Sequence, residues 1–141
     1  MLHRFVAASV VASVLIAIGA VAVVLMPAAT ARKFYPVALM WCFMPLIWGV
    51  WAVLTPAKWM THRLPQWGAV LGFVLGLNAT FVLHTPTRVL DVTPPWWGLL
   101  FGAVFAAALY YLLWMVVRIA YRSLMATASA TPEQSKAARA S

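Results

Sequence analysis

Residues Trp96–Val117 read WWGLLFGAVFAAALYYLLWMVV, a run without one Asp, Glu, Lys or Arg. A helix needs about 20 apolar residues to cross the ~30 Å hydrocarbon core of a bilayer, and this run supplies them. Tryptophans open it and Arg118 follows it, the residue types that settle where a span enters and leaves the headgroup region. The same reading extends along the chain. Residues 5–31, 34–57, 64–87 and 92–117 are all free of acidic residues, Lys and Arg. Within them the apolar spans fall at about 5–26, 34–54, 67–84 and 96–117. One Asp, Lys or Arg at a helix centre costs about 2.5–3.5 kcal/mol on insertion, so four charge-free runs are a strong signal. Strands of a membrane β-barrel would alternate apolar and polar residues, and none of these runs does. The expectation is an all-α polytopic membrane protein, a four-transmembrane-helix bundle over 1–122, with 123–141 as a disordered cytoplasmic tail.

Composition agrees. Of 141 residues, 65% are hydrophobic and 9% charged, whereas soluble domains carry about 25% charged residues. A water-soluble globule is excluded on that ground. Ten Lys and Arg stand against two acids, for a formal charge of +8. These cations lie between the apolar runs rather than on one surface, so nucleic acid is not an expected partner. With both termini inside, the inner ends hold Arg4, Lys58, Arg63, Arg118 and Arg122, and the outer ends Arg32, Lys33 and Arg88. That excess predicts an N-in, C-in multi-pass protein of a bacterial inner membrane. Lys136 and Arg139 in the tail are too far from a span to weigh. Arg4 and Ala29-Thr30-Ala31 also suit a secretory signal, but the apolar region 5–26 exceeds the ~7–15 residues of a signal core, which favours a retained helix. Trp59, Trp67, Trp96, Trp97, Tyr35 and Tyr121 sit where aromatic rings lie at headgroup level. The single cysteine, Cys42, excludes an internal disulfide framework and reads as a small packing residue.

Inside lipid, helices associate by close approach at small residues. Pro65-Gln66-Trp67-Gly68-xxx-Gly72 is matched thirty residues later by Pro95-Trp96-Trp97-Gly98-xxx-Gly102, with Gly76 closing the first series and Ala106 the second. Gly68, Gly72, Gly76, Gly98, Gly102 and Ala106 are therefore the helix-packing candidates. The two ridges can meet within one molecule or serve a partner subunit. Ser9, Ser13 and Ala17 form a softer ridge, whose hydroxyls can return to their own backbone. In the second span Trp41, Met44, Trp48 and Trp51 recur at spacings of three and four, giving one aromatic face. Pro45 leaves the Trp41 carbonyl without its donor and predicts a kink there. Such a face suits core or lipid packing, and alternatively a slot for a planar quinone or porphyrin.

Polar candidates are few. His84, Arg88 and Asp91 share the third loop, where a headgroup, anion or quinone could bind; the plainer reading is a weak Arg88–Asp91 surface pair. Asn78, inside the third span, should bond across helices or touch a substrate. The histidines are too far apart to hold one haem, and no metal or cofactor is expected. No span contains a carboxylate, and nucleophile, acid–base and phosphate-loop patterns are missing, so no catalytic residues and no enzyme activity are expected. Expected partners are the lipid bilayer and other membrane subunits or a second copy. The function expected from this inventory is that of an accessory or structural subunit. The alternatives are a small-solute transporter or channel working as an oligomer, and an anchor bordering a quinone or haem held by a partner.

Overall fold

A computed structural model describes the chain except Thr61, Leu83, Val92 and Ser141, and describes no side chains for residues 35–37, 88–90 and 128–140. The expectations placed on the side chains of Tyr35, Arg88, Lys136 and Arg139 lie outside the described residues. Every described element is helical. In chain order they are α1 (Leu2–Val24), α2 (Ala28–Cys42), α3 (Met44–Leu54), a 3-10 turn (Ala57–Trp59), α4 (Leu64–Leu77), a π-turn (Asn78–Val82), α5 (Thr85–Leu90) and α6 (Trp96–Ala140). Three stretches are long and apolar enough to cross a membrane: Leu2–Val24, Leu64–Val82 and Trp96–Thr127.

The second expected span is not one helix. It breaks at Phe43 into α2 and an eleven-residue α3. Pro45, at the first turn of α3, has no N–H to give the Trp41 carbonyl, and the Phe43 N–H turns back to Met40 at 3.1 Å instead. The kink read from Pro45 is thus a full interruption. Cys42 lies beside it and is exposed rather than packed. The expected end near Arg122 also differs, because α6 continues past it as far as Ala140.

Neighbouring helices run antiparallel. Arg4 donates from Nη1 to the Thr55 carbonyl at 3.0 Å, which joins the start of α1 to the end of α3. The guanidinium therefore sits at the negative end of the α3 dipole. Higher up, Ser9 Oγ donates to the Pro45 carbonyl at 2.8 Å. The sequence reading sent both serine hydroxyls back to their own helix. Ser13 does so, bonding the Ser9 carbonyl at 2.8 Å, while Ser9 crosses to α3. Gly49 lets the two helices close at that level, since a Cβ there would lie 2.6 Å from Ser9 Oγ.

The α4–α6 contact is the most extensive in the bundle. A Cβ on Gly68 would overlap the Trp114 side chain, one on Gly72 would lie 2.7 Å from the Ala106 carbonyl oxygen, and one on Gly76 2.9 Å from Ala106 Cβ. Each step of four up α4 meets a step of four back along α6, as antiparallel packing requires. The two ridges meet at Ala106, against Gly72 and Gly76, while Gly98 and Gly102 take no part in that contact. The α4 ridge receives Trp114 and Tyr110, whose bulk fills what glycine leaves. Gly98 meets only Pro94 and Pro95, and the nearest atom to a Cβ on Gly102 is Thr80 Oγ1 at 3.9 Å.

The buried cluster holds Ala8, Ala12, Trp48, Ala52, Met60, Leu64, Leu71, Trp114 and Val117. All lie in the half of the bundle that contains Arg4 and Arg63. Inserting atoms into a packed site costs about 1–3 kcal/mol, often more against backbone. Gly72→Leu is therefore expected to lower the thermal unfolding midpoint clearly, while Gly102→Leu leaves it within error. Far-UV circular dichroism melts in detergent check both, and equal melting of the two variants would refute this packing.

Candidate functional site

Two places bring polar or aromatic groups together. The first is the loop region around α5. His84 precedes α5 with φ 51 and ψ 39, and Asp91 follows it with φ 53 and ψ 29. Both are left-handed, a region in which Asp and His are enriched among residues other than glycine. Thr87 Oγ1 donates to the His84 carbonyl at 2.8 Å, and His84 Nδ1 lies 3.2 Å from the Val82 carbonyl. These local bonds hold the turn.

A six-residue helix separates His84 from Asp91, so the structure does not bring imidazole and carboxylate together. Asp91 instead pairs with Lys33, in the first half of α2. The proposed Arg88 partner lies outside the described side chains. Lys33 was missed because pairing was sought within one loop. Alternating spans put the first and third loops on one side, and that signal was present in the sequence. Around His84 a small cavity of about 160 Å³ is lined by Thr80, Phe81, Thr87, Thr93 and Leu99 among others. It offers hydroxyls and one imidazole, with no described cation for an anion.

The second place is the aromatic face of the broken helix. Trp48 is 2% exposed, and its ring meets Tyr110 at 5.4 Å (edge-on) and Trp114 at 5.6 Å. Trp51 stacks on Trp67 at 4.8 Å and donates its N–H to the Trp67 carbonyl at 3.0 Å. Trp59 packs edge-on against Trp67 at 5.5 Å. Trp41 covers Gly19 of α1, where a Cβ would lie 2.9 Å from its ring. The face points inward and ties α3 to α4 and α6.

Between α1, the break and α6 lies a cavity of about 390 Å³, with Trp41, Met44, Trp48 and Tyr110 in its wall. It shares no lining residue with the His84 cavity, so the tryptophan face and the third loop do not form one site. Asn78 is exposed at the start of the π-turn and borders neither cavity. Its amide makes no hydrogen bond among the described residues, contrary to the cross-helix bond expected of it. Sequence reasoning missed Tyr110 and Met44 as neighbours; a phenol in the middle of an apolar run was the available signal. Among the described residues no three His, Cys, Asp or Glu side chains converge.

His84→Ala is expected to leave the helix content and melting midpoint unchanged, because among the described residues its side chain makes one local hydrogen bond, to the Val82 carbonyl. The Lys33–Asp91 pair is exposed, at 43% and 71% for the two side chains, and such pairs contribute about 0–1 kcal/mol. A double-mutant cycle of Lys33→Met and Asp91→Asn should give a coupling in that range that shrinks with added salt. A larger, salt-insensitive coupling would mark the pair as a structural strut.

No protein-family model, curated protein or solved structure matches the chain.

Proposed function

We propose that this chain is a membrane-embedded bundle with four crossings and both termini inside, working as an accessory or structural subunit that packs against other membrane helices. The carrying observation is the part of the α6 ridge at Gly102 that the chain's own helices leave unused. Gly102 is open on its outer side, between Phe101 and Phe105, which are 69% and 63% exposed. Glycine within a helix costs about 1 kcal/mol against alanine in water, and here no packing inside the chain offsets it. A helix from another subunit would offset it through close backbone approach and Cα–H···O contacts.

Two further features support the reading. The exposed Asn78 amide lies in an apolar segment and lacks a partner within the described chain, as it would if its acceptor belonged to a neighbour. Taking α2 and α3 together as the second crossing, antiparallel helices would carry Arg4, Lys58, Arg63, Arg118 and Arg122 at one end. Five basic residues there against Arg32, Lys33 and Arg88 at the other favour that end as cytoplasmic. The combined 26 residues of α2 and α3 would extend about 39 Å, enough for a broken span. A transport path along Asn78 has less support, because that side chain faces outward.

The test is purification from native membranes in mild detergent, with crosslinking before solubilisation. A fixed hetero-complex or homo-oligomer is expected for the unaltered chain. Gly102→Leu should release it while preserving the melting midpoint. A monomer unaffected by Gly102→Leu would refute the accessory reading. Cysteine reagents applied to intact cells should label Thr93→Cys and spare Lys58→Cys; the reverse pattern would invert the orientation.

A further inference from the structure

We propose that the cavity between α1, the α2–α3 break and α6 binds a quinone-class molecule, with the Tyr110 hydroxyl donating to a ring carbonyl.

The cavity wall is almost wholly apolar. Tyr110 donates to Met44 Sδ at 3.4 Å, and thioether sulfur is a weak acceptor. Trp48 shares the wall, but its indole N–H is fully buried beside the Tyr110 hydroxyl, so it is not free for a ligand. The Tyr110 O–H therefore stands on an apolar wall with only a sulfur to receive it. A buried hydroxyl in this position gains from any ligand oxygen that replaces the sulfur.

Depth narrows the ligand. Tyr110 packs on Gly72, eight residues past Leu64, which is about 12 Å along α4 from its start. In a hydrocarbon core of ~30 Å that level lies well inside the region of acyl tails, beyond the reach of phosphate and glycerol groups. The oxygen must arrive on a molecule that is otherwise apolar and dissolves in the bilayer interior. A sterol-like alcohol brings a further donor, which the site does not need. A quinone ring brings carbonyl acceptors, no donors and a flat face.

Shape agrees with that chemistry. A volume of about 390 Å³ lies in the ordinary range for small-molecule sites, ~300–1,000 Å³. Trp41 and Trp48 give two aromatic surfaces for a planar ring, and Ile16 and Leu109 flank them with aliphatic groups. The break at Phe43 produces this space: a continuous helix would have carried Trp41 and Met44 along one unbroken surface.

The test is equilibrium binding of tritiated decylubiquinone to the full chain in nanodiscs, with empty nanodiscs subtracted. Saturable binding is expected. Tyr110→Phe should weaken it about fivefold to tenfold, as loss of one hydrogen bond does. Leu109→Trp, at a half-exposed position, should fill the cavity and abolish binding while circular dichroism stays unchanged. Unlabelled decylbenzene, which has the tail without carbonyls, should displace the label far less well than unlabelled decylubiquinone. Binding no greater than in empty nanodiscs overturns the proposal. So does equal affinity in a folded Tyr110→Phe. If Tyr110→Phe does not fold, equal displacement by decylbenzene overturns it alone, since the cavity would then hold apolar chains without choosing an oxygen.

Discussion

Between α4 and α6 the backbones come close because Gly68, Gly72 and Gly76 leave room, and Trp114, Tyr110 and Ala106 occupy it. Lipid tails are as apolar as leucine, so membrane helices gain little from hiding hydrophobic side chains from each other. What remains is contact quality, and this is the contact on which the other helices build. Trp114 and Tyr110, fixed by the glycines, become the surface on which Trp48 packs. Trp48 positions α3, and α3 receives α1 through Ser9, Gly49 and Arg4. Side-chain volume missing on one helix thereby orders three others.

Much of the architecture was legible in the sequence because charge-free length is a coarse quantity. Three of the four expected runs correspond to helices long and apolar enough to cross a membrane, and the kink at Pro45 was marked by a residue whose chemistry permits few alternatives. The spans themselves did not reveal how far the interruption at Phe43 would go, since proline in lipid is tolerated or disruptive according to its neighbours. Composition rated 123–141 by its lack of apolar groups, whereas α6 runs on to Ala140.

The candidate site was less legible. Thirty-residue similarity between the glycine stretches suggested ridges of equal role, but pairing depends on which face each helix presents, and spacing alone does not give that. His84, Arg88 and Asp91 were grouped by proximity in the chain, whereas Asp91 found Lys33 on α2. The tryptophan face was visible as a pattern; that it bounds a cavity with Tyr110 was not, because Tyr110 is sixty-six residues from Met44. Long-range pairs of this kind follow from helix order and register together.

Burial is divided unequally along the bundle axis. Around Arg4, Leu64 and Val117 the helices interlock, while toward Val24, Val82 and Trp96 their side chains are largely open. In a bilayer the two leaflets would meet different surfaces: interlocked side chains in one and side chains open to acyl chains in the other. Lateral pressure varies with leaflet composition and bending, and it would act on the open end first. The thickness and curvature of a host membrane would then bear on how the helices are spaced there.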